Sequence, residues 1–251
     1  MIYNALMKRL FIVLALLFSA SLPAQAPVAV PVGKEPHHHL VFENNYVRVF
    51  RVSVPPHDTT LHHQHDLPYV YVSLGPADVI NAVAGKPEAR LVMTDGQVGY
   101  SRGGFAHIAR TDAGSPFDNV TIELLHPQGE PHNVCEKVVA GPFKDCGNRD
   151  SSSSFQVKQL FYTDEIQTDS LWFAPGANFS EPASEPGELL IAYENTELRV
   201  DLPGKPSKSL RGGEVLWIDA GKLPTIITAG ENKVTRFLLV RFKGSNVTNK
   251  P

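Results

Sequence analysis

Three histidines stand within four positions in the stretch TLHHQHDLPYVYV, residues 60–72. Side chains two apart on a strand share a face, so His63 and His65 point one way and His62 the other. An H-x-H pair alone is a short motif that surface histidines also satisfy. A third imidazole gives it weight. His107 follows the glycine-rich run GQVGYSRGGFA and opens the apolar stretch HIAR. A turn of that kind ending at a strand start can set the ring against a neighbouring strand. Three neutral imidazoles on one face suit Fe, Mn, Cu, Ni or Zn, and they leave coordination positions open to water or a small molecule.

Such a site needs strands to hold it, and the chain reads as strands. YVRVFRVSV, DLPYVYVSLG, EARLVMTDGQVGYS, FAHIART and NVTIELLHP alternate or run apolar, with turn residues between them. Twenty prolines and nineteen glycines supply those turns. Regular spacing of short strands predicts an all-β fold, a sandwich or barrel, and no segment carries convincing helical periodicity. Residues 127–154 break the pattern with two cysteines and a serine run. They read as a connector.

The pattern resumes at Phe155 and repeats. The segment from Gly85 aligns with that from Gly204: Gly96 with Gly213, Val98 with Val215, Tyr100 with Trp217, Gly104 with Gly221 and Thr111 with Thr228. Small gaps then bring Val120 onto Val234 and Leu124 onto Leu238. A duplicated unit explains this better than chance likeness of two β segments. The expected layout is a first domain over 27–126, the connector, a second domain over 155–245 and a tail over 246–251.

In these features the chain resembles the cupin family. Its first motif, G-x5-H-x-H-x(3,4)-E-x6-G, is approached by His57 in the place of the first glycine, then His63, His65 and Gly75. Its second, G-x5-P-x-G-x2-H-x3-N, is matched in spacing from Gly96 to His107, with Arg102 in the proline place and Thr111 in that of the asparagine. The likeness covers residues 40–126 well and 155–243 weakly. It implies two tandem jelly-roll barrels, a bicupin, and a metal on His63, His65 and His107.

The departures bear on function. The family's glutamate ligand should fall at Tyr69 or Val70, or at Pro68 counted back from Gly75, and none is a carboxylate. Asp66 is the nearest acid and should face away from His65. A site without a charged ligand leaves a divalent ion its full charge, favouring an anionic or chelating substrate. Tyr69 is a candidate fourth ligand or acid. Arg102, in the turn before His107, is a candidate for holding a substrate anion; Arg110 alternates away. Tyr100, Phe105, Ala109 and Thr111 could line a pocket or be plain barrel core. His37, His38 and His39 read as a solvated terminal stretch, an adventitious metal-binding run or a pocket rim being the alternatives. His57, His62, His126 and His132 read as surface or turn residues. In the second repeat Pro224 takes the place of His107, and PGANFSEPASEPGELL holds no histidine. The second barrel is expected to be structural or dimer-forming.

Other classes recede. MIYNALMKRL, FIVLALLFSA and SLPAQA form the basic, apolar and small-residue regions of an export signal over residues 1–26, and the apolar run is short of the ~20 residues of a membrane span. Its removal takes Lys8 and Arg9 and no acid, moving the formal charge from −3 to −5. A mildly acidic chain without a basic run does not suit nucleic acid. A periplasmic or secreted chain is expected to close Cys135 and Cys146 into a disulfide, unrelated thiols being the alternative. No nucleophile elbow, P-loop or dinucleotide glycine pattern is convincing. Sequons occur at Asn119, Asn178 and Asn246. The expected function is an exported metalloprotein acting on a small chelating or anionic substrate with dioxygenase-like chemistry. The alternative is a non-catalytic cupin that binds a small molecule or metal.

Overall fold

The computed structural model describes residues 28–112, 114–133, 141–142, 150–152, 154–182, 184–193, 196–221 and 224–244. The export signal, Cys135, Cys146 and Asn246 lie outside them. The described residues form strands and one 3-10 turn, Val32–Lys34. None forms a helix long and apolar enough to cross a membrane.

The first barrel is built from β1 (Val30–Pro31), β2 (His38–Glu43), β3 (Val47–Val54), β4 (His63–His65) and β5 (Tyr69–Ser73). It continues through β6 (Ala77–Val83), β7 (Ala89–Met93), β8 (Val98–Ser101), β9 (Phe105–Arg110) and β10 (Phe117–Leu124). Two short strands follow, β11 (Gly141–Pro142) and β12 (Asp150–Ser151). The second barrel has β13 (Phe155–Tyr162), β14 (Ile166–Phe173), β15 (Asn178–Glu181), β16 (Gly187–Ala192) and β17 (Glu197–Asp201). It closes with β18 (Lys208–Arg211), β19 (Val215–Asp219), β20 (Thr225–Ala229) and β21 (Thr235–Phe242).

Each barrel is a pair of sheets. The first pairs β1-β4-β9-β6-β7 with β11-β8-β5-β10-β3-β2, and the second pairs β15-β20-β17-β18 with β12-β13-β14-β21-β16-β19. Leaving aside the short strands β1, β11 and β12, the two orders coincide. So do the registers: Val47 to Val54 run against Leu124 to Phe117 as Ile166 to Phe173 run against Phe242 to Thr235. Even the register shift recurs, between Leu40 and Phe42 on β2 and between Gln159 and Phe161 on β13. The ladders pair Tyr100 with Val70 and Trp217 with Leu189, so these two aromatics correspond, as their sequences indicate. Farther on the sequence alignment slips. The ladders set Val120 onto Leu238 and Leu124 onto Phe242, four places from the expected partners.

The larger sheets pack back to back. Val70, Val72, Val120, Ile122 and Leu124 share one core with Leu189, Ile191, Leu238 and Val240. Alternate residues of the same strands, Tyr69, Tyr71, Asn119 and Thr121, turn into the first barrel. Strands buried on both faces read as near-continuous apolar runs, which is why YVYVS and NVTIEL look as they do.

Candidate metal centre

The site lies inside the first barrel, between its sheets. On β4 the burial alternates, with His63 and His65 1% and 2% exposed and Gln64 half-buried. His107 on β9 stands directly opposite His63 in the ladder. Ring centroids are 4.4 Å apart for His63 and His107, 5.0 Å for His63 and His65, and 5.2 Å for His65 and His107. The glycine turn sets the approach. Gly103 has φ +67 and a Cβ there would meet the Leu67 carbonyl oxygen at 2.1 Å, while the Gly104 N–H donates to the His65 carbonyl at 2.6 Å. Only a residue without a side chain fits so close a left-handed position.

The terminal histidines bring a fourth ring. His38 is not solvated: it sits on β2 with its side chain 5% exposed, 4.8 Å from the His63 ring and 5.9 Å from that of His65. The nitrogens of His38, His63 and His65 lie within 4.8 Å of one another. His37 is partly buried, also bonded to Glu35, and His39 is exposed, as a terminal stretch would be. The sequence does carry a signal for His38. Glu35 lies three residues earlier, and PHHHLVFE can enter a strand with alternate faces.

Hydrogen bonds orient the rings. The Nδ1 of His63 donates to the Leu61 carbonyl at 2.8 Å, that of His107 to the Asn81 side-chain oxygen at 2.6 Å, and that of His38 to Glu35 at 2.6 Å. These assignments leave Nε2 of His63 and His107 buried without a partner, and Nδ1 of His65 likewise. Burial drives all three imidazoles toward neutrality, with neighbouring imidazoles adding to the effect for His65 and His107: His63 to about 4, His65 to about 2, His107 to about 3. Buried lone pairs on residues that line one cavity, with nothing to accept a proton from, are expensive unless something binds them. A divalent ion fits that donor set.

Tyr69, on the position where the family glutamate was expected, faces the centre and stacks on His65 with centroids 4.4 Å apart. Burial lifts its hydroxyl to about 12, so it remains a phenol and a hydrogen-bond donor. Arg102 does not reach the site. It is exposed and pairs with Glu130 at 2.7 Å, because the left-handed turn at Gly103 and Gly104 carries it outward. Asp66 is exposed, as its alternation requires. Phe105 and Ala109 line the cavity, whereas Tyr100 packs in the core between the barrels and the Thr111 hydroxyl donates to the Pro55 carbonyl. Asn119 is buried in the cavity wall, which excludes it as a glycosylation acceptor in the folded chain.

The cavity beside the rings holds about 240 Å³. Four aromatic rings, Tyr69, Tyr71, Phe105 and Phe117, and the amides of Asn81 and Asn119 mark its wall, and no lysine, arginine, aspartate or glutamate lines it among the described residues. A ligand here meets polar neutral groups and apolar surface, and a bound cation would be the one full charge.

Among the described residues the second barrel holds no such centre. The ladders place Val157 on His38 and Glu188 on Tyr69, while Thr225, next to Pro224, begins β20, the counterpart of β9, and Glu181 ends β15, the counterpart of β4. Arg241 takes the place of Glu123 and bonds both oxygens of Glu181 at 2.7 and 2.8 Å, and Asp169 as well. A fixed guanidinium stands where the first barrel gathers imidazoles.

No protein-family description matches the sequence, and no curated protein is similar to it. Solved structures do match. AerE from Microcystis aeruginosa is similar at TM-score 0.60 and 10% identity, over 84% of this chain and 99% of its own. A cupin 2 conserved barrel domain protein from Leptotrichia buccalis matches at 0.53 and 10%, over 82% and 88%. An oxalate decarboxylase matches at 0.55 and 10%, over 78% and 69%. The chain shares the two-barrel bicupin fold of these structures.

Proposed function

Proceeding from that fold, we propose that the protein is an exported metal-dependent cupin whose first barrel holds one divalent transition metal on His63, His65 and His107 and acts on a small chelating or anionic substrate. The observation that carries this reading is the convergence of buried, unpartnered imidazole nitrogens on a cavity of about 240 Å³. Bound there, a divalent ion supplies Lewis acidity and open coordination positions, which suits dioxygenase-like chemistry on a chelating substrate. The protein's own groups prepare the site. The Leu61 carbonyl and Asn81 fix two tautomers, and the aromatic wall lines the cavity with apolar surface. The Tyr69 phenol can donate to a ligand oxygen. One fold neighbour, oxalate decarboxylase, is named for a small chelating anion.

The test is elemental analysis of untagged protein, followed by oxygen uptake with a panel of chelating acids and diketones. One metal per chain, lost when His63, His65 and His107 are all replaced by alanine, is expected. Metal retained by the triple variant contradicts the assignment. Metal binding with tight ligand binding but no turnover assigns the cavity to a non-catalytic binding module, which the lack of charged acid–base groups in its wall would fit.

A further inference from the structure

We propose that His38 is a fourth ligand of this centre and that Glu35 is its positioning carboxylate, so that the acid a cupin would place in the coordination sphere stands here one residue behind it. The inference rests on the metal reading above.

Three observations carry it. First, His38 comes from the opposite sheet, yet its nitrogen lies within 4.8 Å of those of His63 and His65. Donors at ~2.1 Å from one ion sit roughly 3–4 Å apart, so a small inward movement of the rings closes the set. Second, the carboxyl oxygens of Glu35 are buried and fully engaged. Oε2 accepts from His38 Nδ1 at 2.6 Å and from the His37 amide at 2.9 Å, and Oε1 accepts from His37 Nδ1 at 3.0 Å and the Leu61 amide at 3.2 Å. With Nδ1 bonded to Glu35, Nε2 is the nitrogen through which His38 would ligate. A carboxylate behind a ligating imidazole fixes its tautomer and makes it a better donor. Third, the strand β5 position where a carboxylate was expected holds Tyr69, whose ring stacks on that of His65 with centroids 4.4 Å apart, so no acid enters the set from that strand. The same Glu35 also ties β2 to the Leu61 carbonyl segment that orients His63, so one buried acid holds ligands from both sheets.

Among the described residues the pair has no counterpart in the second barrel. The ladder counterpart of His38 in the second barrel is Val157, buried in an apolar core.

The experiment is pulsed EPR of the full chain loaded with one equivalent of Cu(II), counting coordinated imidazole nitrogens, with Cu(II) affinity by competition and circular dichroism of the metal-free protein. Wild type should show four imidazoles and H38A three, with affinity 10–100-fold weaker. E35Q should keep four, fold as wild type without metal, and bind 10–100-fold more weakly. Equal counts in wild type and H38A overturn the proposal and leave the metal reading intact. If H38A does not fold, three imidazoles in wild type overturn it and four support it. A wild type that binds no Cu(II), or an H63A/H65A/H107A variant that binds it unchanged, overturns both readings.

Discussion

At the scale of single residues the account turns on how each imidazole is held. Asn81 fixes His107 by accepting its Nδ1 proton. Asn81→Ala should therefore weaken metal binding by roughly 10–100-fold while the metal-free fold persists, measured by competition with a chelator. Much of this was legible. The strand alternation of H-Q-H assigns His63 and His65 to one face, and the spacing from Gly96 leads to His107. His38 was legible only as a histidine that could enter a strand near Glu35; its place at the centre depends on pairing with β3, a partner that the local sequence does not name. Arg102 misled for a related reason: residue type pointed to an anion site, but the Gly103–Gly104 turn directs it outward. In the second barrel Glu188 is 2% exposed with Oε2 unpartnered, facing Asp169, Glu181 and Arg241. Burial, then the charge of Glu181, lifts it from 4.5 to about 8 against the pull of Arg241. The folded state thus holds a proton that the unfolded state releases above pH 4.5, so this contribution to stability is present below 4.5 and lost as pH rises through 8. Glu188→Gln should gain in Tm over wild type as pH rises from 5 to 9. A Tm difference independent of pH would refute that.

At the scale of elements, β4, β9 and the turn between β8 and β9 are a single device for delivering rings. Gly103→Ala sets a Cβ against the Leu67 carbonyl in a left-handed conformation. It should displace the start of β9, lower Tm and weaken metal binding together, since strain at such a position costs about 1–3 kcal/mol. The matching elements of the second barrel deliver a different charge. Arg241 bonds Glu181 and Asp169 in a buried cluster. Arg241→Leu leaves those carboxylates without their cation and should cost about 3–5 kcal/mol in chemical denaturation. The strand types and the repeat were readable from alternation and turn spacing. The pairings beyond Tyr100 and Trp217 were not, because gaps fall in turns whose lengths leave no mark on the apolar pattern.

At the scale of the whole molecule the two barrels share one core, in which Val70, Ile122 and Val72 lie with Leu189, Ile191 and Val240. An ion pair between Arg236 and Asp95 also joins the halves. Both tryptophans, Trp172 and Trp217, lie in the second barrel, and the imidazole cluster lies in the first. Unfolding should therefore be one transition, with tryptophan fluorescence and the visible spectrum of bound Co(II) changing together. Leu189→Ala, a change in the second barrel, should move both by the same amount, about 2–5 kcal/mol. The second barrel then acts on the centre as the wall behind the sheet that carries Tyr69 and His38, opposite the strands of His63, His65 and His107.

The measurement that bears most directly on the centre is an anomalous difference map from crystals of untagged protein, recorded across the absorption edge of the metal they contain. One peak inside the first barrel, within bonding distance of His63, His65 and His107, is the predicted result. A metal-bearing crystal with its peak elsewhere, or with none among these histidines, would contradict it.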